Sequence, residues 1–561
     1  MHLSDGFGYK GEDPLAESGH LLRQTTKAPW NMDRPSQSQT AETEAPWRPS
    51  HDPRAVALTV VLPTFMVVLD TSVANVSLPY VAGTLSASTH EATWMLTSYL
   101  VANAIVLPST HWMARLVGRK RLLVWSVLLF TVSSAASGAA HSLAMLIAAR
   151  VIQGASGGLL LPTSQAVLLE SFPREERGEA MAAFGLGVVV APVVGPTLGG
   201  WITDNYSWRW IFYINVPLGV LAVFLVHLFI EDPPYARKAP PGSIDALGFG
   251  LMAVGLGALQ VILDKGQQDD WFSAVWIRWF TVLSAASLLA FLLWESRARE
   301  PVVDLRVFRD RNFSLGIFLV TTYGLILFSA LVLLPLFLEE LMGYTAFRSG
   351  LAVSPRGLGA AVSMTIAGRL VSRMDGRYLI AGGFLLLAWA GFELGKINLE
   401  ISVWSVVWPN ATIGLALGFI FVPLTTLTVA SLPNAEIGTA TGLYNLMRNL
   451  GGSFGIASLT TLIARGAQAH QSVLAAHLTP SNPVFQYGLY KLQGAFALQN
   501  DAWLALHGAH AALYRLLLQQ SALLAYVDAF RFLGFLALVG VPFPFLLAKG
   551  GIRHAETAAM E

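Results

Sequence analysis

Two side chains of opposite charge stand where a charge is costly. Asp70 lies inside the apolar stretch 55–80, and Arg150 inside the apolar stretch 142–169. A charge at a bilayer centre costs at least ~2.5–3.5 kcal/mol on insertion scales, so each needs a partner, a cavity or a task. Asp70 precedes the end of its stretch, at Tyr80, by about ten residues, or ~15 Å at 1.5 Å per residue. Arg150 follows the start of its own stretch, at Ser142, by about eight residues, or ~12 Å. With alternating crossings the two sit at similar depth and face one interior space. A neighbouring guanidinium favours a carboxylate, whereas removal from water favours the acid. Such a pair can take up and release a proton as water access changes. The alternative is a static clamp between two helices.

Composition says what kind of elements hold them. The chain has 561 residues, 54% hydrophobic and only 13% charged, against roughly 25% charged in soluble domains. Lys+Arg 36 against Asp+Glu 35 leaves no net field for nucleic acid. The absence of Cys excludes disulfides, zinc-thiolate sites, iron–sulfur clusters and cysteine nucleophiles. No H-E-x-x-H or G-x-x-x-x-G-K-[ST] run is present, so zinc hydrolysis and direct ATP use have no support. His227 and Asp232 match an H-x-x-x-x-D acyltransferase spacing, but no companion catalytic residues accompany them. His507 and His510 fit a helix surface better than a metal site. An enzyme is therefore not expected, nor a metal.

From Ala55 onward, apolar stretches near the ~20 residues needed to cross a bilayer follow one another. Fourteen spans are expected: 55–80, 92–113, 121–140, 142–169, 179–203, 210–230, 244–264, 273–294, 313–338, 346–371, 378–396, 403–431, 437–464 and 526–548. No ten-residue alternation suggests membrane strands, so the chain reads as an all-α integral membrane protein. Residues 1–54 are polar, with Lys10, Arg23, Lys27, Arg34 and Arg48, and read as a disordered cytoplasmic tail. Basic residues crowd alternate loops: Arg115, Arg119, Lys120 and Arg121; Arg174 and Arg177; Arg237 and Lys238; Arg297, Arg299, Arg306, Arg309 and Arg311; Arg373 and Arg377; Lys549 and Arg553. The opposite loops hold only Arg209, Lys265, Arg348 and Lys396. The positive-inside rule then places both termini in the cytoplasm. Residues 465–525 read as a long periplasmic loop with an amphipathic stretch near Trp503–Gln520. Residues 295–312 read as a charged link at the inner interface. Further buried charges are expected at Arg356 and Arg448.

Several runs of sequence carry a likeness. LDTSVANVSLPYV (69–81) resembles the first-helix motif of the EmrB/QacA-type drug:proton antiporters, the fourteen-helix branch of the major facilitator superfamily. RVIQGASGG (150–158), APVVGPTLGG (191–200) and WRWIFYINVPLG (208–219) resemble its fourth-, fifth- and sixth-helix signatures. SPRGLG (354–359) and LYNLMRNLGGSFG (443–455) extend the likeness to residue 548. One loop departs from it. Where the superfamily has Gly-x-x-x-Asp-Arg-x-Gly-Arg after helix two, HWMARLVGRKR (111–121) puts His111, Arg115 and Leu116 at the Gly, Asp and Arg positions. Gly118, Arg119, Lys120 and Arg121 fit, but the inner-gate Asp is missing.

The resemblance implies a major facilitator fold: two six-helix bundles plus two extra helices. The bundles would be 55–230 and 313–548, the extra helices and link 231–312, with a cytoplasmic tail at 549–561. It implies proton-coupled efflux of lipophilic or amphipathic compounds by alternating access, in a bacterial inner membrane and with no cofactor. Asp70 and Arg150 would couple protons. Pro192, Gly195, Pro196, Gly199 and Gly200 would bend and flatten a gating helix. Tyr323, Phe328, Arg356, Tyr444, Asn445 and Arg448 are candidates to line the substrate cavity. Periplasmic-adaptor and outer-membrane-channel partners are implied for relatives in didermic bacteria. A dedicated exporter of one metabolite is the alternative.

Overall fold

A computed structural model describes residues 50–173, 175–232, 245–298, 300–433, 436–498 and 501–548. Residues 1–49 and 549–561, which hold Lys10, Arg23, Lys27, Arg34, Arg48, Lys549 and Arg553 of the expected tails, lie outside the described residues. So do Arg174, Arg237, Lys238 and Arg299 of the orientation argument.

Among the described residues the regular structure is entirely helical. The first half comprises α1 (Pro53–Thr84), α2 (Thr89–Ala92), α3 (Trp94–Val106), α4 (Thr110–Val117), α5 (Arg119–Gly138), α6 (Leu143–Ser171), α7 (Arg177–Asn205), α8 (Trp210–Tyr213) and α9 (Asn215–Phe229). Then come α10 (Ala246–Lys265) and α11 (Val275–Glu295). The rest is α12 (Arg311–Leu336), α13 (Ala346–Val353), α14 (Pro355–Leu370), α15 (Gly376–Leu394), α16 (Trp404–Val429), α17 (Ile437–Ala475), α18 (Pro483–Ala497) and α19 (Ala502–Gly540). Short polar side chains start many of them by accepting from the orphan N–H groups of the first turn. Asp52 caps α1, Ser142 α6, Asp245 α10, Asp310 α12, Asp375 α15 and Asp501 α19.

Eleven helices among the described residues are long and apolar enough to cross a bilayer. The three remaining expected spans take other forms. The 92–113 stretch is α3 and α4, interrupted by a 3-10 turn at Leu107–Ser109 that holds Pro108. The 346–371 stretch is α13 and α14, divided at Ser354 before Pro355. The 437–464 stretch is the first part of the 39-residue α17, which buries Asn445 and Arg448.

The 465–525 segment differs from the loop expected of it. α17 runs on to Ala475, α18 follows, and α19 begins at Ala502, well ahead of residue 526. The cause is local. Asn482 and Asp501 cap α18 and α19, and Ala502, Ala505, Ala509, Ala511 and Ala512 are strong helix formers. Such a stretch is too polar to read as a span, yet fully competent to be a helix.

The helices pack as two groups with a hairpin on the seam. In one group α1 lies on α7, α6 and α9, while α6 also receives α3 and α5. In the other, α12 packs on α17, α14 and α15 pack on α16, and α19 packs on α15 and α17. α10 pairs with α11 and leans on both α3 and α17. The seam itself is α7 against α14 and α6 against α17. It is tightest at the end of the molecule where α1 begins. There Gly178 faces Val371, Gly368 faces Ala182, and Gly438 faces the His111 ring, each too close for an added Cβ. Asn445 donates to Gln165 Oε1 at 2.6 Å across the same seam.

Candidate functional site

The sequence places an acid and a base at one depth, and the fold brings them into contact. Arg150 Nη1 donates to Asp70 Oδ2 at 2.5 Å, and both side chains are about 1% exposed. Two neutral donors complete the carboxylate's shell. Gln153 Nε2 and Asn215 Nδ2 each reach Asp70 Oδ1 at 2.8 Å. Every partner is a donor, so the carboxylate's charge is paired and hydrogen-bonded, as a buried ion requires.

The guanidinium is held as carefully. Arg150 Nη1 also donates to Gln153 Oε1 at 2.8 Å, and Nε to the Met95 carbonyl at 3.3 Å. Its Cζ lies 4.2 Å from the Tyr99 ring centroid and 5.7 Å from that of Phe212. That stacking suits the planar Arg and not Lys. Tyr99 can approach because Gly154 has no Cβ: one there would strike the Tyr99 carbonyl. Asn215 is oriented in turn by Ser134, its Nδ2 donating to Ser134 Oγ at 3.0 Å while Ser134 donates to the Phe212 carbonyl at 2.8 Å. α1, α3, α5, α6 and α9 thus all contribute to one buried cluster.

Gln153, Asn215, Ser134 and Tyr99 do not stand out in the sequence. Gln153 carries a signal, being three residues from Arg150 and so on the same helical face. Asn215, inside an apolar helix start, carries a weaker one.

The glycines of the 191–200 run, expected to flatten a gating helix, have their close contacts within their own helix group. α7 is unbroken through Pro192 and Pro196 and does lie on the seam, against α13, α14 and α16. Gly195 and Gly199, however, face α1 within their own group. A Cβ at Gly195 would meet Ser72, and one at Gly199 would meet the Val73 side chain 2.8 Å away. Gly200 has only Val76, at 4.0 Å. The seam is instead lined by Gly178 and Gly185. Gly195→Ala and Gly199→Ala should therefore each destabilise the protein by about 1–3 kcal/mol, the usual effect of overpacking. Gly200→Ala should be neutral or slightly stabilising, because Ala is the better helix former. Thermal melts of the three purified variants test the contrast, and equal melting temperatures would refute this reading of the α1–α7 contact.

The basic loop after α4 is tied down by acids from elsewhere. Gly118 takes φ 91°, a conformation Gly adopts freely. Arg119 pairs with Glu170 of α6, both buried, and Arg115 lies 3.5 Å from Glu300 in the link. Asp232 accepts the Lys120 backbone N–H at 2.8 Å, while Lys120 Nζ donates to the His227 carbonyl at 2.7 Å. Arg121 is exposed. The H-x-x-x-x-D spacing is thereby explained as a loop clasp rather than a catalytic pair.

The cavity candidates fall apart into three settings. Arg448 lies within electrostatic reach of Tyr323 and Tyr444, and Thr425 donates to the Tyr444 hydroxyl at 3.0 Å. Asn445 belongs to the seam, as above. Phe328 packs against Gly452. Arg356 is engaged inside the second group, giving Nη2 and Nε to Asn410 Oδ1 at 2.8 and 3.2 Å and Nη2 to the Ala330 carbonyl at 3.2 Å. One charged pair escapes sequence reasoning altogether. Lys265, expected in an outer loop, is buried beside the half-buried Asp264 at the end of α10. Lys265 bonds Thr93 and Gln268 there, and Asp264 bonds Thr97.

Similarity to known proteins agrees with this architecture. Residues 60–456 match the model of the Major Facilitator Superfamily. The chain is 38% identical over 468 residues to the multidrug export protein EmrB of Escherichia coli (strain K12), covering 82% of this chain and 90% of that one. It is 41% identical over 456 residues to the EmrB of Haemophilus influenzae, covering 80% and 88%. The human organic anion transporter MFSD10 superposes with a TM-score of 0.56 over 87% of this chain and 100% of its own, at 14% identity, a likeness of fold. A multi-pass helical membrane protein with these relatives belongs to the Major Facilitator Superfamily, among the EmrB-type multidrug export proteins.

Proposed function

We propose that the chain is a proton-coupled multidrug efflux antiporter, a transporter rather than an enzyme, that exports lipophilic or amphipathic compounds across the inner membrane. The observation that carries the reading is the buried Asp70 cluster in a chain of this family. Its carboxylate is met only by donors, from Arg150, Gln153 and Asn215. If the change in cavity orientation also shifts α6 or α9 against α1 inside their own group, the carboxylate loses Arg150, Gln153 or Asn215 and can accept a proton from newly admitted water. Alternating access would then tie protonation to the orientation of the cavity. The proton gradient supplies the drive, and no cofactor is needed.

With both termini cytoplasmic, the tight end of the seam is the cytoplasmic one. Two bundles, 55–230 and 313–548, would rock about it, with 231–312 supplying the extra pair and the link. Tyr323, Phe328, Tyr444, Asn445 and Arg448 are the proposed lining of the substrate path, while Arg356 holds α14 to α16. The α17–α19 projection would be periplasmic and is where an adaptor leading to an outer-membrane channel would dock.

Inverted membrane vesicles test the reading. An imposed pH gradient, acid inside, should drive accumulation of a lipophilic dye, and a protonophore should abolish it. Accumulation indifferent to the gradient would overturn proton coupling.

A further inference from the structure

At the end of the molecule where α15 stops and α16 starts, in the helix group that does not hold the Asp70 cluster, lies a cleft of about 480 Å³. It is lined by Trp389, Trp404 and Trp408, together with Ile401. Its charged edge is the Glu393–Lys396 pair, 2.7 Å apart. The three indoles are 47%, 64% and 64% exposed. None of their N–H groups has a hydrogen-bond partner among the described residues.

The cleft is built rather than incidental. Arg531 of α19 donates to the Gly395 carbonyl at 3.0 Å, pinning the backbone between Glu393 and Lys396. Trp404 and Trp408, one turn apart, hold their rings 6.3 Å from each other and tilted by 30°. Single tryptophans are ordinary at a membrane interface. Three converging on one acid–base pair offer more: an anionic oxygen, an ammonium with spare N–H groups, unused indole donors and indole faces.

We propose that this cleft binds the headgroup of a zwitterionic aminophospholipid. The ligand's ammonium would donate to Glu393 and lie against an indole face, where a cation is attracted by the ring quadrupole. Its phosphate would accept from Lys396 and an indole N–H, as charge-assisted hydrogen bonds. Its acyl chains would run down the exposed apolar side of α15, past Leu385 and Phe392. An anionic headgroup without an amine leaves Glu393 facing a like charge. A lipophilic cation without a phosphate leaves Lys396 and the indole donors unanswered. The cleft lies on the periplasmic face in the topology proposed above, but lipid binding does not depend on transport.

Native mass spectrometry of the delipidated full-length protein, titrated in detergent with phosphatidylethanolamine, phosphatidylglycerol or a long-chain alkyltrimethylammonium, tests this without any gradient. Phosphatidylethanolamine should be retained at least about tenfold better than either competitor. Lys396→Gln, a change at an exposed position, should cut that retention at least about fivefold, and so should Trp404→Ala with Trp408→Ala. Thermal melts of lipid-free protein check that both variants are folded. Equal retention of phosphatidylglycerol, preferential retention of the cation, or undiminished phosphatidylethanolamine on folded Lys396→Gln would each overturn the proposal. A protein that retains the lipid yet fails to pump would count against the antiporter reading alone.

Discussion

Replacing Asp70 by Asn should give a folded protein whose gradient-driven accumulation of dye in inverted vesicles falls to background. The substitution keeps the size of the side chain and one acceptor for Gln153 or Asn215, so the helices can remain where they are. What disappears is the carboxylate of the cluster, the group to which the proposed coupling assigns the proton. Arg150 cannot substitute, since a guanidinium stays charged in proteins. Gln153, Asn215 and Ser134 do not titrate. Because coupling requires protonation to change which conformation is favoured, removing the titrating group removes the differential and leaves at most downhill leak. Asp70→Glu, which keeps the acid but lengthens it, should retain part of the activity. Dye accumulation by folded Asp70→Asn vesicles under an imposed gradient would move proton coupling elsewhere, with the half-buried Asp264 the next carboxylate to test.

The legible part of this protein is what the bilayer makes expensive. Apolar length announces the crossings, and a charge inside one announces a site, so residue type and position are enough to mark Asp70 and Arg150. The pairing follows from depth alone, and the contact at 2.5 Å bears it out. Neutral polar residues carry no such warning. Gln153 and Asn215 cost little enough in a helix to pass as packing, yet they give the carboxylate two of its three hydrogen bonds. Charges near the ends of spans mislead in the other direction. Lys265 counts toward an outer loop by position, but the fold tucks it under Trp94, with its Nζ 5.3 Å from the ring centroid. Arg119 counts toward positive-inside topology, and only tertiary contact reveals its Glu170 partner. Helix continuity is hidden for a related reason. Hydropathy identifies segments apolar enough to enter lipid, whereas the α17 and α19 extensions are helices specified by caps and alanines.

Arg150→Met should destabilise the protein by about 3–5 kcal/mol, the range for removing one member of a buried ion pair. Met fills much of the space and can still lie against Tyr99, so packing contributes little of the loss. The damage is electrostatic. Asp70 is left 2% exposed with two amide donors and no opposing charge. If that account is right, the second change repairs the first: Asp70→Asn in the Arg150→Met background should recover most of the lost stability, because no uncompensated charge remains. It should recover no transport, since neither half of the proton switch survives. Thermal or denaturant melts of the wild type, the two single variants and the double variant close a thermodynamic cycle in which the coupling term is the pair itself. Additive effects, with the double variant less stable than Arg150→Met, would mean that Asp70 is solvated or already neutral in the resting protein. The donor-filled cluster would then not be the state from which the proton is exchanged.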